Sequence, residues 1–235
     1  MKEKAKQVTL LIVLIYTILL ESVLTFGEPA GAALSERGSS RRQVQDPTEV
    51  NAQAGNVTAL NIDHTKITAI WQGYYGNISG KITLDNADNK SFYDWTIDSA
   101  RGEVYASRTT VSSWAGVTCP DETMIINEES SLGITSTWTD SINNTFSSGT
   151  SHPEFIVADT TISSGSCYEV QAYNSTGTGK FWNVLINVSD SIVYTSIIDD
   201  NQNSFDNSTA DFELIVPTNY TDGGISSYYF YVELN

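Results

Sequence analysis

The feature of this sequence that most constrains its fold is a series of short runs rich in Val, Ile, Thr, Tyr, Phe and Trp, separated by segments of Asn, Asp, Gly and Ser. In SYYFYVEL, residues 227–234, every second residue from Tyr228 to Leu234 is apolar, and the residues between them form a mixed face that includes Glu233. This period of two is that of a β-strand. About eleven such runs, beginning with NVTALNI at residue 56, predict an all-β domain, a β-sandwich.

One segment departs from this pattern. CPDETMIINEESSLG, residues 119–133, offers Thr118 as an N-cap, Pro120 for the first turn and Gly133 as a stop. The sequence therefore predicts one short helix in an otherwise β domain.

The N-terminus predicts export. Lys2, Lys4 and Lys6 precede the apolar run VTLLIVLIYTILL, residues 8–20, as in a secretory signal. Apolar character resumes in SVLTF, so residues 8–26 are about as long as a bilayer is thick, and a retained hydrophobic helix would place the rest of the chain outside. AGA at residues 30–32 offers small residues for cleavage. The sequence leaves cleavage and retention open.

Composition divides the chain into three parts. Residues 1–26 form the signal peptide or signal anchor, residues 27–55 are small and polar and indicate a flexible linker, and residues 56–235 form the ectodomain. Residues 51–235 contain 22 of the 28 acidic and six of the 12 basic residues, so the net charge of −16 lies there. Such a surface repels nucleic-acid phosphates, which excludes nucleic acid as a partner.

The two cysteines agree with export. Cys119 and Cys167 are far apart in sequence, and an even count in an exported chain predicts a disulfide. A metal site is disfavoured because no second thiol or imidazole lies close to Cys119.

The triplet Asn-X-Ser/Thr, the acceptor for N-glycosylation, occurs eight times. Most of the triplets fall at a predicted strand end or turn, where a glycan fits, so we expect some to be occupied. The asparagines are Asn56, Asn77, Asn89, Asn143, Asn174, Asn187, Asn207 and Asn219.

The segment WQGYYGNISG, residues 71–80, raises the question of a sugar-binding platform. Its rings, together with two further tryptophans, could form one aromatic plane that binds a glycan. Most Trp and Phe residues in a β-sandwich fill the core, however, and we favour the interpretation that these residues do so as well. The candidate platform residues are Trp71, Tyr75, Trp95 and Trp182.

Catalysis is not expected. The chain has two histidines and no nucleophile elbow, P-loop or dinucleotide fingerprint. Carboxylates on or near strands, such as Glu103 and Glu154, are too common in so acidic a chain to indicate a glycosidase. No cofactor is predicted, apart from calcium. The segment DDNQNSFD resembles the start of a calcium loop through Asp199, Asn201 and Asn203, but the rest of an EF-hand is missing and a polar hairpin turn is the favoured interpretation.

Residues 57–235 also resemble a known group of proteins. The segments WQGYYGNISG, GEVYAS, CYEVQAY, FELIVP and YYFYVEL are similar to those of secreted or cell-surface β-rich proteins, mainly archaeal, whose functions are uncharacterised. The resemblance implies an exported surface domain and supplies no catalytic residues.

These observations favour an extracellular or cell-surface structural glycoprotein, either secreted or held in the membrane by residues 8–26, that self-associates or binds other surface proteins. Two alternatives stay open. One is a carbohydrate- or protein-binding module, which requires exposed aromatic residues. The other is a pilin- or archaellin-like filament subunit, which shares the layout of basic leader, apolar segment and glycosylated β domain but is weakened by Glu21 within the apolar segment.

Overall fold

The computed structural model describes residues 27–148 and 151–234. Strands in antiparallel sheets dominate this part of the chain, which confirms the all-β prediction. The predicted N-terminal hydrophobic helix, residues 8–26, lies outside the described residues. Within the described ranges, no helix has the length and apolar character that a membrane crossing requires.

Fifteen strands and two α-helices are described, several of them only two or three residues long. The helices are α1 (Glu122–Ser131) and α2 (Ile142–Thr145), and a 3-10 turn covers Tyr220–Asp222. The strands are β1 (Ala30–Gly31), β2 (Trp71–Gly76), β3 (Lys81–Asp85), β4 (Ser91–Thr96), β5 (Gly102–Ser107), β6 (Ser147–Ser148), β7 (Phe155–Val157), β8 (Thr160–Ile162), β9 (Tyr168–Tyr173), β10 (Gly179–Val188), β11 (Ser191–Ile197), β12 (Gln202–Asn203), β13 (Thr209–Ala210), β14 (Phe212–Pro217) and β15 (Tyr229–Leu234).

A seven-stranded antiparallel sheet organises the domain. Its strand order is β1-β15-β5-β11-β10-β9-β6, and the remaining strands form the pairs β2–β14, β3–β4, β7–β8 and β12–β13. The centre of the sheet is the tight hairpin β10–β11, whose turn residues Ser189 and Asp190 both have a positive φ, as hairpin turns of two residues prefer.

Both faces of the central strands are buried. Leu185 and Tyr194 lie on one face in a core that includes residues of β14, α1 and α2, whereas Val184 and Val193 lie on the other face with Trp114 and residues of β7 and β8. Alternate residues of β10 and β11 therefore enter two separate hydrophobic cores, which explains the consecutive apolar residues Val184 to Ile186 and Ile192 to Tyr194.

The disulfide prediction is confirmed. Cys119 and Cys167 are bonded, with Cα atoms 5.0 Å apart. Beside the bond, Thr118 and Asn187 exchange two backbone hydrogen bonds of 2.7 and 3.1 Å, which join the segment before α1 to β10. The bond thus fixes part of the layer that covers the second face of the sheet.

Three local predictions are wrong. NVTALNI forms no strand: residues 56–62 are exposed and pair with no other segment, because alternation without a partner strand cannot bury a face. Helix α1 is capped by Asp121, whose carboxylate accepts from the Met124 N–H at 2.8 Å, and Thr118 instead pairs with β10. The sequence analysis also missed α2, which Ser141 caps and which is too short to show a helical period.

The predicted linker has one ordered contact. No helix or strand lies between Gly31 and Trp71, and nearly all of these residues are exposed. Ala30 and Gly31, however, pair with Val232 and Tyr231 of β15 and form the short edge strand β1.

Candidate interaction surfaces

The hairpin β3–β4 is shaped by its own turn. The Asn86 side chain accepts hydrogen bonds from the backbone N–H groups of Asp88 and Lys90 at 3.0 and 2.9 Å, and Asn89 has a φ of 57°. Asn tolerates this left-handed conformation and stabilises such turns with its side chain. The polar segment between the strands is thus a hairpin turn.

Cross-strand pairing places four apolar side chains on one side of this hairpin. Ile82 lies opposite Trp95 and Leu84 lies opposite Tyr93, and the rings of Tyr93 and Trp95 are 4.9 Å apart in an edge-to-face arrangement. All four are more than half exposed, at 61%, 52%, 58% and 51% for Ile82, Leu84, Tyr93 and Trp95. We name this group the hairpin face.

The opposite side of the same hairpin is mostly polar, and its exception is Phe92, which lies at the register shift of β4 and is 86% exposed. Lys81, Thr83, Asp94 and Thr96 alternate with the apolar residues, and Lys81 pairs with Asp94 at 2.9 Å. The hairpin is therefore amphipathic, as a half-buried strand pair would be, yet among the described residues nothing covers its apolar side.

The base of the hairpin is joined to the domain, but its edges are free. A Cβ on Gly80 would clash with the Leu234 side chain, so Gly80 allows close packing against β15. The Ile97 N–H donates to the Gly80 carbonyl at 3.2 Å. Neither β3 nor β4 pairs with a further strand in the described ranges, and both outer edges present unpaired backbone groups.

A second feature is a cleft beside the ends of β5 and β11. It has a volume of about 610 Å³ and adjoins a smaller one of about 410 Å³, with which it shares Pro153, Ile197, Ile198 and Asp199. We name the two together the strand-end cleft. Sequence periodicity gave no sign of it, because its lining comes from segments that are distant in sequence.

A buried carboxyl pair lies at the edge of this cleft. Glu103 lines the cleft and lies directly opposite Glu233 in the pairing of β5 with β15, and both are buried. The Tyr105 hydroxyl lies 3.0 Å from the Glu233 carboxylate and 3.4 Å from that of Glu103, and the Ala158 N–H donates to Glu233 at 3.1 Å. Burial, together with the neighbouring charge of Glu233, raises the pKa of Glu103 to about 8.

The four candidate platform residues lie in different surroundings. Trp71 packs on Phe146 and its indole N–H donates to a backbone carbonyl at 2.6 Å, so it belongs largely to the core. The Tyr75 ring contacts Phe205. Trp95 lies on the hairpin face, and Trp182 lines the strand-end cleft. In the described residues no contact joins these four rings to one another.

The three candidate calcium ligands are engaged separately. Asp199 pairs with Lys180 at 2.7 Å, Asn201 donates from its amide to Asp200 at 2.9 Å, and Asn203 donates to the Ser175 hydroxyl at 2.8 Å. The parts of the chain that the structure describes contain no group of three or more His, Cys, Asp or Glu residues arranged to hold a metal. Calcium binding stays a prediction.

The predicted glycosylation sites differ in exposure. Four of the asparagines are exposed, and four are partly buried. Asn187 lies within β10 and its amide donates to the Thr118 hydroxyl at 3.2 Å, while Asn143 lies within α2. The exposed ones are Asn56, Asn77, Asn89 and Asn207, and the partly buried ones are Asn143, Asn174, Asn187 and Asn219.

No protein-family model, curated protein or solved structure matches this chain. The resemblance to secreted and surface β-rich proteins therefore stays a prediction.

Proposed function

We propose that this chain is an exported surface glycoprotein domain that self-associates through its hairpin face. The observation that carries the proposal is an amphipathic hairpin with an uncovered apolar side and two unpaired edges in the described residues. Soluble proteins usually cover or charge such an element, and an uncovered one is typical of an interaction site.

A second copy is the partner whose chemistry fits best. The residues from 51 onward contain all of the net charge of −16, so copies of the domain repel each other over most of their surface. The hairpin face carries no charged side chain, and two copies related by a twofold axis would each supply the same apolar patch. Face-to-face packing of these patches would bury the four apolar side chains of each copy.

Export is supported by separate features. The Cys119–Cys167 disulfide is of a kind that persists in oxidising compartments. Glycosylation triplets lie on exposed turns, including that of Asn89 at the end of the hairpin. The basic and apolar segment at residues 2–26 supplies the signal in the sequence.

Light scattering after gel filtration, over a range of concentrations, tests the proposal. We expect the wild-type protein to form dimers at high concentration, and added salt to favour them because it screens the acidic surfaces. The double variant Tyr93→Ser, Trp95→Ser should stay monomeric. The matched control is Tyr173→Ser, which removes a tyrosine that is 63% exposed at the end of β9. A wild-type protein that remains monomeric, or a double variant that still dimerises, contradicts the proposal.

A further inference from the structure

The strand-end cleft has the composition of a ligand site, separate from the hairpin face. Its two parts, of about 610 and 410 Å³, lie within the range of about 300 to 1,000 Å³ that is typical of small-molecule sites. Apolar walls come from residues such as Phe155, Ile197 and Ile198. Trp182 adds an aromatic surface that belongs to neither hydrophobic core.

Several solvent-accessible polar side chains in the cleft have no partner among the described residues. Arg101, Glu154 and Gln171 line it, and none of their side chains makes a hydrogen bond or ion pair with a described residue. The indole N–H of Trp182 also has no hydrogen-bond partner among the described residues. The Gln171 side chain packs against Gly179, where a Cβ would collide with it, and Gln171 lies opposite Trp182 in the pairing of β9 with β10.

The charges of the cleft indicate the chemical class of the ligand. A cationic ligand would be repelled by Arg101 and Lys180. An anionic ligand would be repelled by Glu154, Asp199 and Asp200. The carboxylate of Asp199 is already paired with Lys180, and that of Asp200 accepts from Ser99 at 3.1 Å. What remains is a mixture of donors and acceptors beside an aromatic ring, which suits a neutral ligand rich in hydroxyl groups.

We propose that the strand-end cleft binds a neutral saccharide, with Trp182 stacking on a sugar ring and Arg101, Glu154 and Gln171 bonding to its hydroxyls. The site uses one of the four aromatic residues of the predicted platform, and its other partners come from β9, from the segment before β5 and from the segment before β7.

The test uses the full domain with defined probes. Hexasaccharides of glucose, mannose, galactose and N-acetylglucosamine are titrated by calorimetry, with acidic and amino hexasaccharides as the comparison. We expect at least one neutral hexasaccharide to bind more tightly than the charged ones. Trp182→Ala and Gln171→Ala should each weaken binding tenfold or more.

Two controls keep the outcome decisive. Trp95→Ala removes a tryptophan from the hairpin face and should leave saccharide binding unchanged. Melting temperatures establish that each variant is folded, and Gln171→Ala provides the test if Trp182→Ala unfolds. Absence of binding by any neutral hexasaccharide at millimolar concentration overturns the proposal. Tighter binding of charged probes, or loss of binding in Trp95→Ala with retention in Trp182→Ala, overturns it as well.

Discussion

The hairpins β3–β4 and β10–β11 share a local pattern and differ in their surroundings. Both are antiparallel pairs with a turn that contains left-handed residues. The central pair has consecutive apolar residues, such as Val184 to Ile186, that are buried on both faces, whereas Ile82 and Leu84 of the projecting pair alternate with polar residues and are mostly exposed. A continuous apolar run therefore indicates burial on two faces, whereas alternation leaves open whether the one apolar face stabilises the monomer or remains available to a partner.

The largest loss of stability should come from removing the disulfide beside the hairpin β10–β11. Replacement of Cys119 and Cys167 by Ser opens a loop with a sequence separation of 48 residues. In the chain-entropy model this costs about 4 kcal/mol of unfolding free energy. Chemical denaturation of the double variant measures the loss. A loss below about 1 kcal/mol would show that the layer over β10 holds without the bond.

Matched leucine substitutions compare the two hairpins directly. Leu185→Ala removes a fully buried side chain and should cost about 3 kcal/mol, because it creates a cavity in the core. Leu84→Ala, at 52% exposed, should change monomer stability by less than about 0.5 kcal/mol. Both values come from denaturation at a concentration low enough to keep the protein monomeric. Equal losses at the two positions would mean that the hairpin face is covered in the folded monomer.

A gradual change in stability, spread over several pH units, should follow the ionisation of Glu103 in β5, the strand beside β11. Its pKa is raised from 4.5 to about 8 in the folded protein by burial and by Glu233, so the folded state binds the extra proton between these pH values. Stability attributable to this group therefore falls as pH rises from about 4.5 to about 8, by at most about 1.4 kcal/mol per pH unit.

Glu103→Gln should flatten this part of the stability profile, since an amide does not ionise. Denaturation curves of the wild-type protein and the variant, recorded at intervals from pH 5 to pH 8, measure the two slopes. The same slope in both proteins would contradict the role of Glu103.

The two hairpins should also differ in glycosylation, a difference that involves no large change in stability. Asn89 lies in the exposed turn of β3–β4, whereas Asn187 lies within β10 and its amide bonds to Thr118. Peptide mapping of the native protein by mass spectrometry should find a glycan on Asn89 and none on Asn187. A glycan on Asn187 would require a different arrangement of β10 and the segment before α1.

Much of the fold followed from the sequence, and the reasons for the failures are physical. The period of two in YYFYVEL and the Ile- and Val-rich composition of FELIVP correctly placed β15 and β14, and an even number of cysteines in a chain predicted to be exported indicated their bond. NVTALNI also contains Val, Thr and Ile but forms no strand, because strand formation depends on a partner that local sequence does not reveal.

The candidate sites were harder to predict from the sequence than the fold was. The strands KITLD and SFYDWT show the alternation that creates the hairpin face, but the sequence contains no sign that other layers leave it uncovered. The strand-end cleft depends on Arg101, Glu154, Gln171 and Trp182, which only the tertiary fold brings together.

Hydrogen–deuterium exchange at low and high protein concentration distinguishes an uncovered hairpin β3–β4 from one that a second copy covers. At low concentration the backbone amides of β3 and β4 should exchange quickly, whereas those of β10 and β11 should be protected. At high concentration the account predicts new protection confined to β3 and β4, because a second copy covers the hairpin. Exchange in these strands that is independent of concentration, or new protection that appears elsewhere in the domain, would contradict it.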